Sequence, residues 1–437
     1  MKKYEAIYNK YRQDILNGFL QEGMKLPSIR KSCELFKASQ TTVEHAYEKL
    51  LTDGYIISTP QVGYYVGIDQ QRIELHKQLD DYSIKKEVRD YLYDFRSQTV
   101  SQDSFENNIW KRYLRDVLDN MSNLSTYGDP QGEYELRQAL CQYAYKSRGV
   151  LSQPSKILIG SNFQSLLFIL CGLFKKDMVV GMEEGYSTQA YRVFKSYGFK
   201  VVFIKSDEES MNLDDLKQYK IDVLYINSSC GGKYHRPITN KARDEILRYT
   251  AKENIVIIED DYNGELTYVS KQRQAIQGFD RHNHVIYCGS FSRLLLPSLR
   301  ISYMAFNEAY YNQYIRYKNE YGPTASKLEQ LAFSQYIADG YLEKHLKKLK
   351  KEYKEKNNKM YEALRHHLDC PMFLDEAYLS YLIDVDLDQE KFTSLCEENK
   401  MAINPINNNR LSVSFASIPI DKIDEAVGLL CDIIKAC

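Results

Sequence analysis

Short polar segments follow several of the apolar runs in the middle of the sequence, and their side chains could bind a charged ligand. The segments are Gly160-Ser-Asn162, Asn227, Asp260-Asp-Tyr262, Ser290-Phe-Ser292 and Arg300. A helix that begins after Gly-Ser-Asn offers backbone amides to a phosphate, and a guanidinium in a nearly apolar run needs an anion. An aspartate could balance a positively charged ring nitrogen. Each segment alone is compatible with a cap, a loop, a turn or a surface ion pair, but together they favour a phosphorylated heteroaromatic ligand.

Seven runs rich in β-branched residues alternate with helix-length segments and would position these polar groups. The predicted strands are Lys156–Ile159, Met178–Gly181, Lys200–Ile204, Val223–Asn227, Ile255–Glu259, Val285–Gly289 and Ile301–Phe306. Strands separated by helices indicate βαβ units and a mostly parallel, doubly wound sheet. Ligands bind such sheets beyond the carboxyl ends of the strands. The sequence therefore predicts an α/β domain with a ligand site at that edge.

The first 68 residues have a different pattern. Apolar residues at helical spacing predict helices over Tyr4–Leu16, Ile29–Phe36 and Thr41–Leu51, and two alternating runs follow at Tyr55–Ser58 and Tyr64–Gly67. Three helices and a two-stranded wing form a geometry that lays one helix in the major groove of DNA. Small three-helix folds also serve as protein-docking modules, so the pattern alone leaves both functions open.

In the DNA-binding interpretation, three groups of residues would contact the duplex. Arg30 could pair with a phosphate, and the wing at Gly63 and Tyr64 could reach a minor groove. Polar residues at the start of the third helix would face the bases. These base-facing residues are Ser39, Gln40, Thr41, Thr42 and His45.

The composition excludes several other classes of protein. The 437 residues contain 58 Lys and Arg against 59 Asp and Glu, so the chain as a whole does not attract polyanions or a membrane surface. The longest apolar stretch, Ser165–Phe174, is far shorter than the roughly 20 residues of a membrane span. The nine cysteines are scattered and the eight histidines lack partners at metal-binding spacing. We therefore expect a cytoplasmic protein with reduced thiols, no membrane partner and no metal site.

Motifs throughout the first 68 residues resemble the winged helix of the GntR family of bacterial transcription factors. They are Leu26-Pro-Ser-x-Arg30, Ser39-x-x-Thr-Val43, Ala46-Tyr-Glu48 and Asp53-Gly-Tyr-Ile56. The resemblance implies that residues 1–68 bind double-stranded promoter or operator DNA. The family usually has Arg directly after the recognition-helix serine, where this chain has Gln40, and Glu44 adds a negative charge to the same helix. We therefore expect lower non-specific affinity for DNA.

The rest of the chain resembles the fold-type-I aminotransferases, which bind pyridoxal 5′-phosphate. The matching motifs include Asp94-Phe-Arg96, Tyr127-Gly-Asp-Pro-x-Gly132, Glu184-Gly-Tyr186, Glu259-Asp-Asp-Tyr262, Gly289-Ser-Phe-Ser292 and Leu299-Arg300. Behind a GntR-type winged helix, this domain is similar to that of the MocR/GabR group of regulators. We expect a linker at 69–93 and an aminotransferase-like domain at 94–437, with a large part at about 123–320 and a small part formed by 94–122 and 321–437.

The resemblance also implies roles for individual residues. Tyr186 would stack on the pyridine ring, Asp260 would pair with its nitrogen and Tyr262 would bond the ring oxygen. Tyr127 would reach across a head-to-tail homodimer, and Asn227 is a further candidate. The groups implied to hold the phosphate are Ser290, Ser292, Arg300 and the backbone amides near Ser161, and Asn162 is another candidate for binding the cofactor.

The chemistry implied by the family fails at one position. The family motif is Ser-Phe-Ser-Lys, and its lysine forms a Schiff base with the cofactor, but this chain has Arg293 there. A lysine amine can lose its proton and attack a carbonyl, whereas a guanidinium stays protonated. Arg293 could hold a phosphate or a carboxylate but could not form the covalent bond. Lys233 is the alternative nucleophile.

A second departure lies near the C-terminus. Ser412 stands where the family has an Arg that binds the carboxylate of the substrate. Arg410, two residues earlier, would point to the same face of a strand and could substitute only if the strand shifts. The loop after Asn227 also lacks the usual proline. These departures indicate lost enzymatic function or a changed ligand.

The sequence therefore predicts a bacterial transcription regulator that is not an enzyme. Its degenerate aminotransferase-like domain would dimerise and sense a small anionic or amino-compound ligand, and pyridoxal phosphate would bind at most non-covalently. One alternative is a functional aminotransferase with an accessory winged helix, which Arg293 and Ser412 disfavour. The other is a ligand-free regulator that binds no cofactor and uses the second domain as a scaffold.

Overall fold

The computed structural model describes residues 2–68, 72–73, 91–96, 100, 105–184, 188–207, 211–231, 237–407 and 409–437. The chain divides into two compact units, Met1–Arg89 and Asp90–Cys437. Each unit has hydrophobic core residues of its own, which is the physical criterion for a domain.

The first unit consists of three helices and a hairpin. They are α1 (Lys3–Leu16), α2 (Ile29–Phe36), α3 (Gln40–Thr52), β1 (Ile56–Thr59) and β2 (Gly63–Val66). The hairpin is antiparallel. The elements predicted for this region are all present, and their ends differ from the predicted ones by one residue at most.

Two serine caps and one buried tyrosine fix the start of α2 and α3 and their packing. Ser28 and Ser39 precede the two helices, and their hydroxyls accept hydrogen bonds from first-turn amides at 3.3 and 3.4 Å. Such caps satisfy amides that have no partner within the helix. Tyr47 of α3 is fully buried and donates a 2.7 Å hydrogen bond to the Pro27 carbonyl. The exposed start of α3 is thereby held against a rigid core.

The second unit is an α/β domain. Its strands are β3 (Tyr93–Asp94), β4 (Ile157–Gly160), β5 (Val179–Glu183), β6 (Lys200–Ile204), β7 (Val223–Ile226), β8 (Val256–Asp261), β9 (Val285–Ser290), β10 (Ser302–Ala305), β11 (Met372–Asp375), β12 (Ser380–Asp384), β13 (Met401–Ala402), β14 (Asn404–Asn407) and β15 (Arg410–Ser414). Strands β4 to β10 form one sheet in the order β4-β10-β9-β8-β7-β5-β6. All seven predicted strands are present in it, and the predicted fold class is confirmed.

Twelve α-helices are described in the second unit. They are α4 (Asn107–Leu118), α5 (Met121–Leu124), α6 (Tyr134–Arg148), α7 (Phe163–Leu173), α8 (Thr188–Ser196), α9 (Leu213–Leu216), α10 (Asn240–Lys252), α11 (Glu308–Tyr317), α12 (Lys327–Ala338), α13 (Tyr341–His367), α14 (Gln389–Glu398) and α15 (Ile423–Ala436). Among the described residues, no helix combines the length and the apolar character needed to cross a membrane.

One strand of the large sheet runs against the others. The pairs among β5 to β9 are parallel, whereas β10 is antiparallel to both β9 and β4. A parallel connection needs a crossover of about a dozen residues or more, usually a helix, and the segment 291–301 between β9 and β10 contains no helix. The mostly parallel prediction is therefore correct with β10 as the exception.

A smaller sheet and a short parallel pair complete the unit. Strands β11, β12, β15 and β14 are antiparallel in that order, with Arg410 opposite Asp384. Strand β3 pairs with β13, and Tyr93 lies opposite Met401. Tyr93 was placed at the end of the 69–93 linker by the sequence, but this pairing makes it part of the second unit.

Candidate functional site

A cavity of about 410 Å³ lies beyond the carboxyl ends of β4, β7, β8 and β9. Of the residues predicted to form a ligand site, those that line it are Asn162, Asn227, Asp260, Tyr262, Ser290, Ser292 and Arg300. Parallel strands bring their carboxyl ends to one edge of the sheet, which explains how residues so distant in sequence meet. The volume is within the range of small-molecule sites, about 300–1,000 Å³.

The first turn of α7 opens into this cavity. Asn162 caps the helix, because its side-chain oxygen accepts a 2.8 Å hydrogen bond from the Ser165 amide, and the next two residues also line the cavity. A Cβ atom on Gly160 would lie 2.8 Å from the Leu166 side chain, so glycine permits the close approach of strand and helix. Helix N-termini bind anions through their amides and dipole. Ser161, beside the cap, donates its amide to Thr324 Oγ1 at 3.3 Å.

Two serines and an arginine lie beside this helix start. The Ser290 and Ser292 hydroxyl oxygens are 3.5 Å apart, and Ser302 donates to Ser290 at 3.0 Å. Arg300 lines the cavity and is exposed, and within the part of the chain that the structure describes no carboxylate forms an ion pair with it. The guanidinium of Arg300 is therefore open to solvent and available to an anion. These groups suit a phosphate.

Asp260 is the acidic group of the cavity. Tyr225, which the sequence analysis missed, donates a 2.5 Å hydrogen bond to its carboxylate. Burial raises the pKa of Asp260 from its ordinary value of 3.8 to about 6, while the Tyr225 hydrogen bond acts in the opposite direction. Tyr225 lies two residues before Asn227 and therefore on the same face of β7, which is the signal that could have identified it.

Two neighbouring tyrosine rings both contact a buried arginine next to the cavity. The rings of Tyr262 and Tyr378 are 5.3 Å apart, and both residues line the cavity. The guanidinium carbon of Arg293 lies 5.9 Å from the centre of the first ring and 5.7 Å from the second. Its Nη1 donates to the Tyr378 carbonyl at 3.2 Å, and only 8% of the residue is exposed. Cation–π contacts of this kind stabilise a desolvated guanidinium.

Of the three consecutive acids that end β8, only Asp260 lines the cavity. Asp261 accepts two hydrogen bonds from Arg148, at 2.6 and 3.0 Å, and the two side chains are nearly inaccessible to solvent. Tyr287 donates to the same carboxylate at 2.8 Å and Ser229 also bonds it. This bidentate, fully hydrogen-bonded pair is a structural anchor beneath the site.

Other predicted site residues lie elsewhere or outside the described part. Tyr186 and Lys233 fall outside the described residues. Tyr127 is 93% exposed and is not among the described residues that line the cavity.

The two candidates for binding the carboxylate of a substrate, Arg410 and Ser412, are also not among the described residues that line the cavity. Arg410 donates a 2.6 Å hydrogen bond to Asp384, and both line a separate surface depression. Ser412 donates to Ser380 at 3.2 Å. The β12–β15 pairing is regular and keeps Arg410 directly opposite Asp384, so the strand shift that Arg410 would have needed is absent from this pairing.

The start of α3 in the first unit presents polar side chains to solvent. Gln40, Thr41 and His45 are exposed, and Gln40 Nε2 donates to Glu44 Oε1 at 2.8 Å. The His45 ring packs 4.5 Å from the ring of Tyr4. Glu44 was expected only to add a negative charge to the helix that faces DNA. In the structure it also holds the side chain of Gln40.

The remaining residues predicted to contact DNA divide into exposed and structural ones. The Arg30 side chain is 93% exposed. Ser39 caps α3, and its hydroxyl lies 2.7 Å from that of Thr42. Gly63 begins β2 with φ +128°, a conformation that favours glycine. The ring of Tyr64 packs 4.9 Å from that of buried Tyr47, so its aromatic face contributes to the core.

Comparison with known proteins assigns both units. Residues 93–430 match the family model for aminotransferase class I and II, and residues 3–66 match the one for bacterial regulatory proteins of the gntR family. HTH-type transcriptional regulator YdeL of Bacillus subtilis is 30% identical to this chain and aligns with 98% of it and 96% of its own length. The chain belongs to the GntR-type transcription regulators with an aminotransferase-like domain. The family inferred from the motifs is confirmed.

Other relatives agree with this assignment. The probable rhizopine catabolism regulatory protein MocR of Rhizobium meliloti is 25% identical over 85% of this chain and 79% of its own. Among solved structures, a Pyrococcus horikoshii kynurenine aminotransferase has a TM-score of 0.68 at 22% identity, covering 84% of this chain and 95% of that one. An archaeal alanine:glyoxylate aminotransferase has a TM-score of 0.70 at 18% identity, covering 83% and 94%. These two structures establish the fold of the second unit.

A substitution in α3 of this GntR-type domain should change the preferred DNA base. Glutamine pairs with adenine N6 and N7, and arginine pairs with guanine O6 and N7. We expect Gln40→Arg to shift the preference at one operator position from adenine to guanine by about 1–3 kcal/mol. Selection from a randomised operator library measures this. Gln21→Arg adds the same charge at an exposed residue outside α3 and should leave base preference unchanged. An identical change in both variants would contradict the role of Gln40.

Buried acids should make the second unit less stable as the pH rises. Burial raises the pKa values of Glu259 and Glu265, and it raises the pKa of Asp260 to about 6. The folded state therefore keeps protons that the unfolded state has already lost, and stability falls from about pH 4 through pH 6. Each group contributes a slope of at most about 1.4 kcal/mol per pH unit.

Urea unfolding between pH 4 and 8 measures this dependence. We expect Asp260→Asn to flatten the curve near pH 6, while Asp214→Asn, at a residue whose side chain is 89% exposed, should leave it unchanged. If the stability of Asp260→Asn falls as steeply with pH as that of the wild type, the pKa of this carboxyl is the same in the folded and the unfolded protein.

Proposed function

We propose that this protein binds DNA through its winged helix and responds to a small anionic or amino-compound ligand in the cavity of the second unit, without catalysing transamination. The observation that supports this most is the environment of Arg293. Its guanidinium is buried against two rings that line the cavity, and the described residues that line the cavity include no lysine. The motif places Arg293 at the position of the lysine that bonds the cofactor in aminotransferases.

Most of the cavity fits pyridoxal 5′-phosphate. Ser290, Ser292, Arg300 and the start of α7 would hold the phosphate, and Asp260 would hold the ring nitrogen. A protonated ring nitrogen beside Asp260 would favour the ionised carboxylate and oppose the effect of burial on its pKa. When bound, this cofactor supplies an electrophilic carbonyl and an electron-accepting ring. The non-covalent part of its recognition is therefore available in this chain.

The covalent part of its chemistry is not available from Arg293. A guanidinium does not deprotonate in proteins, so this side chain can neither attack a carbonyl nor carry a proton between two carbons. The carboxylate of an amino-acid substrate also lacks its usual partner, because Ser412 bonds Ser380 and Arg410 bonds Asp384. These two features favour a binding domain over a catalytic one.

Control of DNA binding requires that the ligand favours one arrangement of the domains over another. The resemblance to MocR/GabR regulators implies a head-to-tail homodimer with Tyr127 reaching the partner, and the 93% exposure of Tyr127 is compatible with that role. In such a dimer the ligand would alter the spacing of the two recognition helices and hence operator affinity. A coupling of about 1–3 kcal/mol is typical of such systems.

Covalent labelling and a gel shift test this proposal. The full-length protein is incubated with pyridoxal 5′-phosphate, reduced with borohydride and weighed by mass spectrometry, and amino transfer to a keto acid is assayed in parallel. We expect no phosphopyridoxyl adduct, no amino transfer and a gel shift with the region upstream of the protein's own gene. An adduct together with turnover would identify an aminotransferase, and a protein that never shifts that DNA would contradict the regulatory role.

A further inference from the structure

Within the described residues, Arg293 forms no ion pair with a carboxylate. Its hydrogen-bond and cation–π partners there are the Tyr378 carbonyl and the rings of Tyr262 and Tyr378. Taking a charge out of water without an opposite charge costs several kcal/mol, and a ring face or a carbonyl repays only part of that. Both rings line the cavity. An anion bound in the cavity beside these rings would supply the opposite charge that this guanidinium lacks.

A second cation, Arg300, lines the cavity itself, whereas Arg293 lies next to it behind two lining tyrosines, so the two have different neighbours. Arg300 lines the cavity together with Ser290, Ser292 and the first turn of α7, the group that suits a phosphate. Arg293 instead contacts Tyr262 and Tyr378, which come from the end of β8 and from the hairpin between β11 and β12. The two guanidinium groups therefore lie in different surroundings.

We propose that the natural ligand presents two separate anionic groups to this cavity: a phosphate at Arg300 and a carboxylate at Arg293. This inference rests on the proposed function and adds the chemical class of the ligand. The carboxylate belongs either to a phosphorylated pyridine that bears an acid in place of the aldehyde or to a second small molecule beside the phosphorylated ring. Guanidinium groups bind carboxylates through two parallel hydrogen bonds. A neutral aldehyde leaves Arg293 unpaired, and an ammonium group repels it.

Three related probes test the charge preference. They are 4-pyridoxic acid 5′-phosphate, pyridoxal 5′-phosphate and pyridoxamine 5′-phosphate, which differ at a single ring substituent that is a carboxylate, an aldehyde or an aminomethyl group. Calorimetric titration of the full-length protein should give the tightest binding for the carboxylate. A charge-assisted hydrogen bond of about 1.5–3 kcal/mol corresponds to an advantage of roughly 10- to 150-fold over the aldehyde. The amine should bind most weakly.

Variants at Arg293 show whether this residue carries the preference. Arg293→Gln should bind the acid and the aldehyde equally well, while Arg316→Gln, at an exposed residue of α11, should behave like the wild type. Thermal melting confirms that Arg293→Gln is folded. Equal affinities of the wild type for all three probes, both without and with acetate, or an unchanged preference in Arg293→Gln, would overturn the inference.

A further titration distinguishes the two sources of the carboxylate. If it belongs to a second molecule, acetate should raise the affinity of the wild type for pyridoxal 5′-phosphate and have no such effect on Arg293→Gln. If it belongs to the ring, only the 4-carboxylate probe shows the advantage. Binding is measured without DNA, so its failure is distinct from that of the proposed function. A preference for the acid with no effect on operator binding would leave the ligand class intact and refute ligand control.

Discussion

Arg293→Lys is expected to gain a covalent bond to pyridoxal 5′-phosphate that the wild-type protein lacks. A lysine at this position would share the buried site beside Tyr262 and Tyr378, where desolvation lowers the pKa of an amine and favours the neutral, nucleophilic form. The serines and Arg300 that suit the phosphate remain in place. After reduction with borohydride, mass spectrometry should show one added phosphopyridoxyl group per chain.

The control for this experiment is Arg293→Gln, which removes the charge without supplying an amine. It should remain unmodified, as should the wild type under the same conditions. Peptide mapping should place the label on residue 293. If Arg293→Lys binds the cofactor but remains unlabelled, the side chain of residue 293 does not face the ligand. If the wild type is labelled, a different lysine reaches the cavity.

Removal of Arg148 should cause a large loss of stability. Arg148 and Asp261 form a bidentate pair whose side chains are 3% and 0% exposed. Without the guanidinium, Asp261 is a buried carboxylate among Glu259 and Glu265, whose pKa values are already raised by burial. Removal of one partner from a buried ion pair typically costs about 3–5 kcal/mol. We expect Arg148→Met to lose that much free energy of unfolding.

Urea unfolding followed by circular dichroism measures this loss. Lys217→Met is a matched control, because it breaks an ion pair of the same unit with Asp214, whose side chain is 89% exposed. Exposed pairs contribute about 0–1 kcal/mol. Comparable losses in Arg148→Met and Lys217→Met would show that the pair beneath the cavity is not an anchor. The loss in Arg148→Met should also grow as the pH rises, since the neighbouring acids then ionise.

The sequence predicted the parts of the fold that local patterns determine. Apolar spacing located three helices of the first unit and seven strands of the large sheet. The ends of these strands then identified Asn227, Asp260, Ser290 and Ser292, because parallel strands end at one edge. The direction of β10 was not predicted, since a strand pattern reads the same in both directions.

Contacts between distant segments could not be predicted from such patterns. Tyr378 lies on a hairpin of the smaller sheet, and only the tertiary fold brings it to Tyr262 and Arg293. Arg410 has the right residue type and spacing to bind a carboxylate, but its partner across the strand pair is Asp384. Residue type defines what a side chain can bind, and the fold determines which group it meets.

The most direct test of this account is the affinity of the full-length protein for its upstream DNA with and without ligand. Fluorescence anisotropy with a labelled fragment gives Kd in the presence of saturating 4-pyridoxic acid 5′-phosphate, of pyridoxal 5′-phosphate and of neither. We expect the carboxylate probe to change Kd about fivefold or more in the wild type and to have no effect in Arg293→Gln. An operator affinity that stays constant while calorimetry shows the cavity to be saturated would contradict ligand control of this regulator.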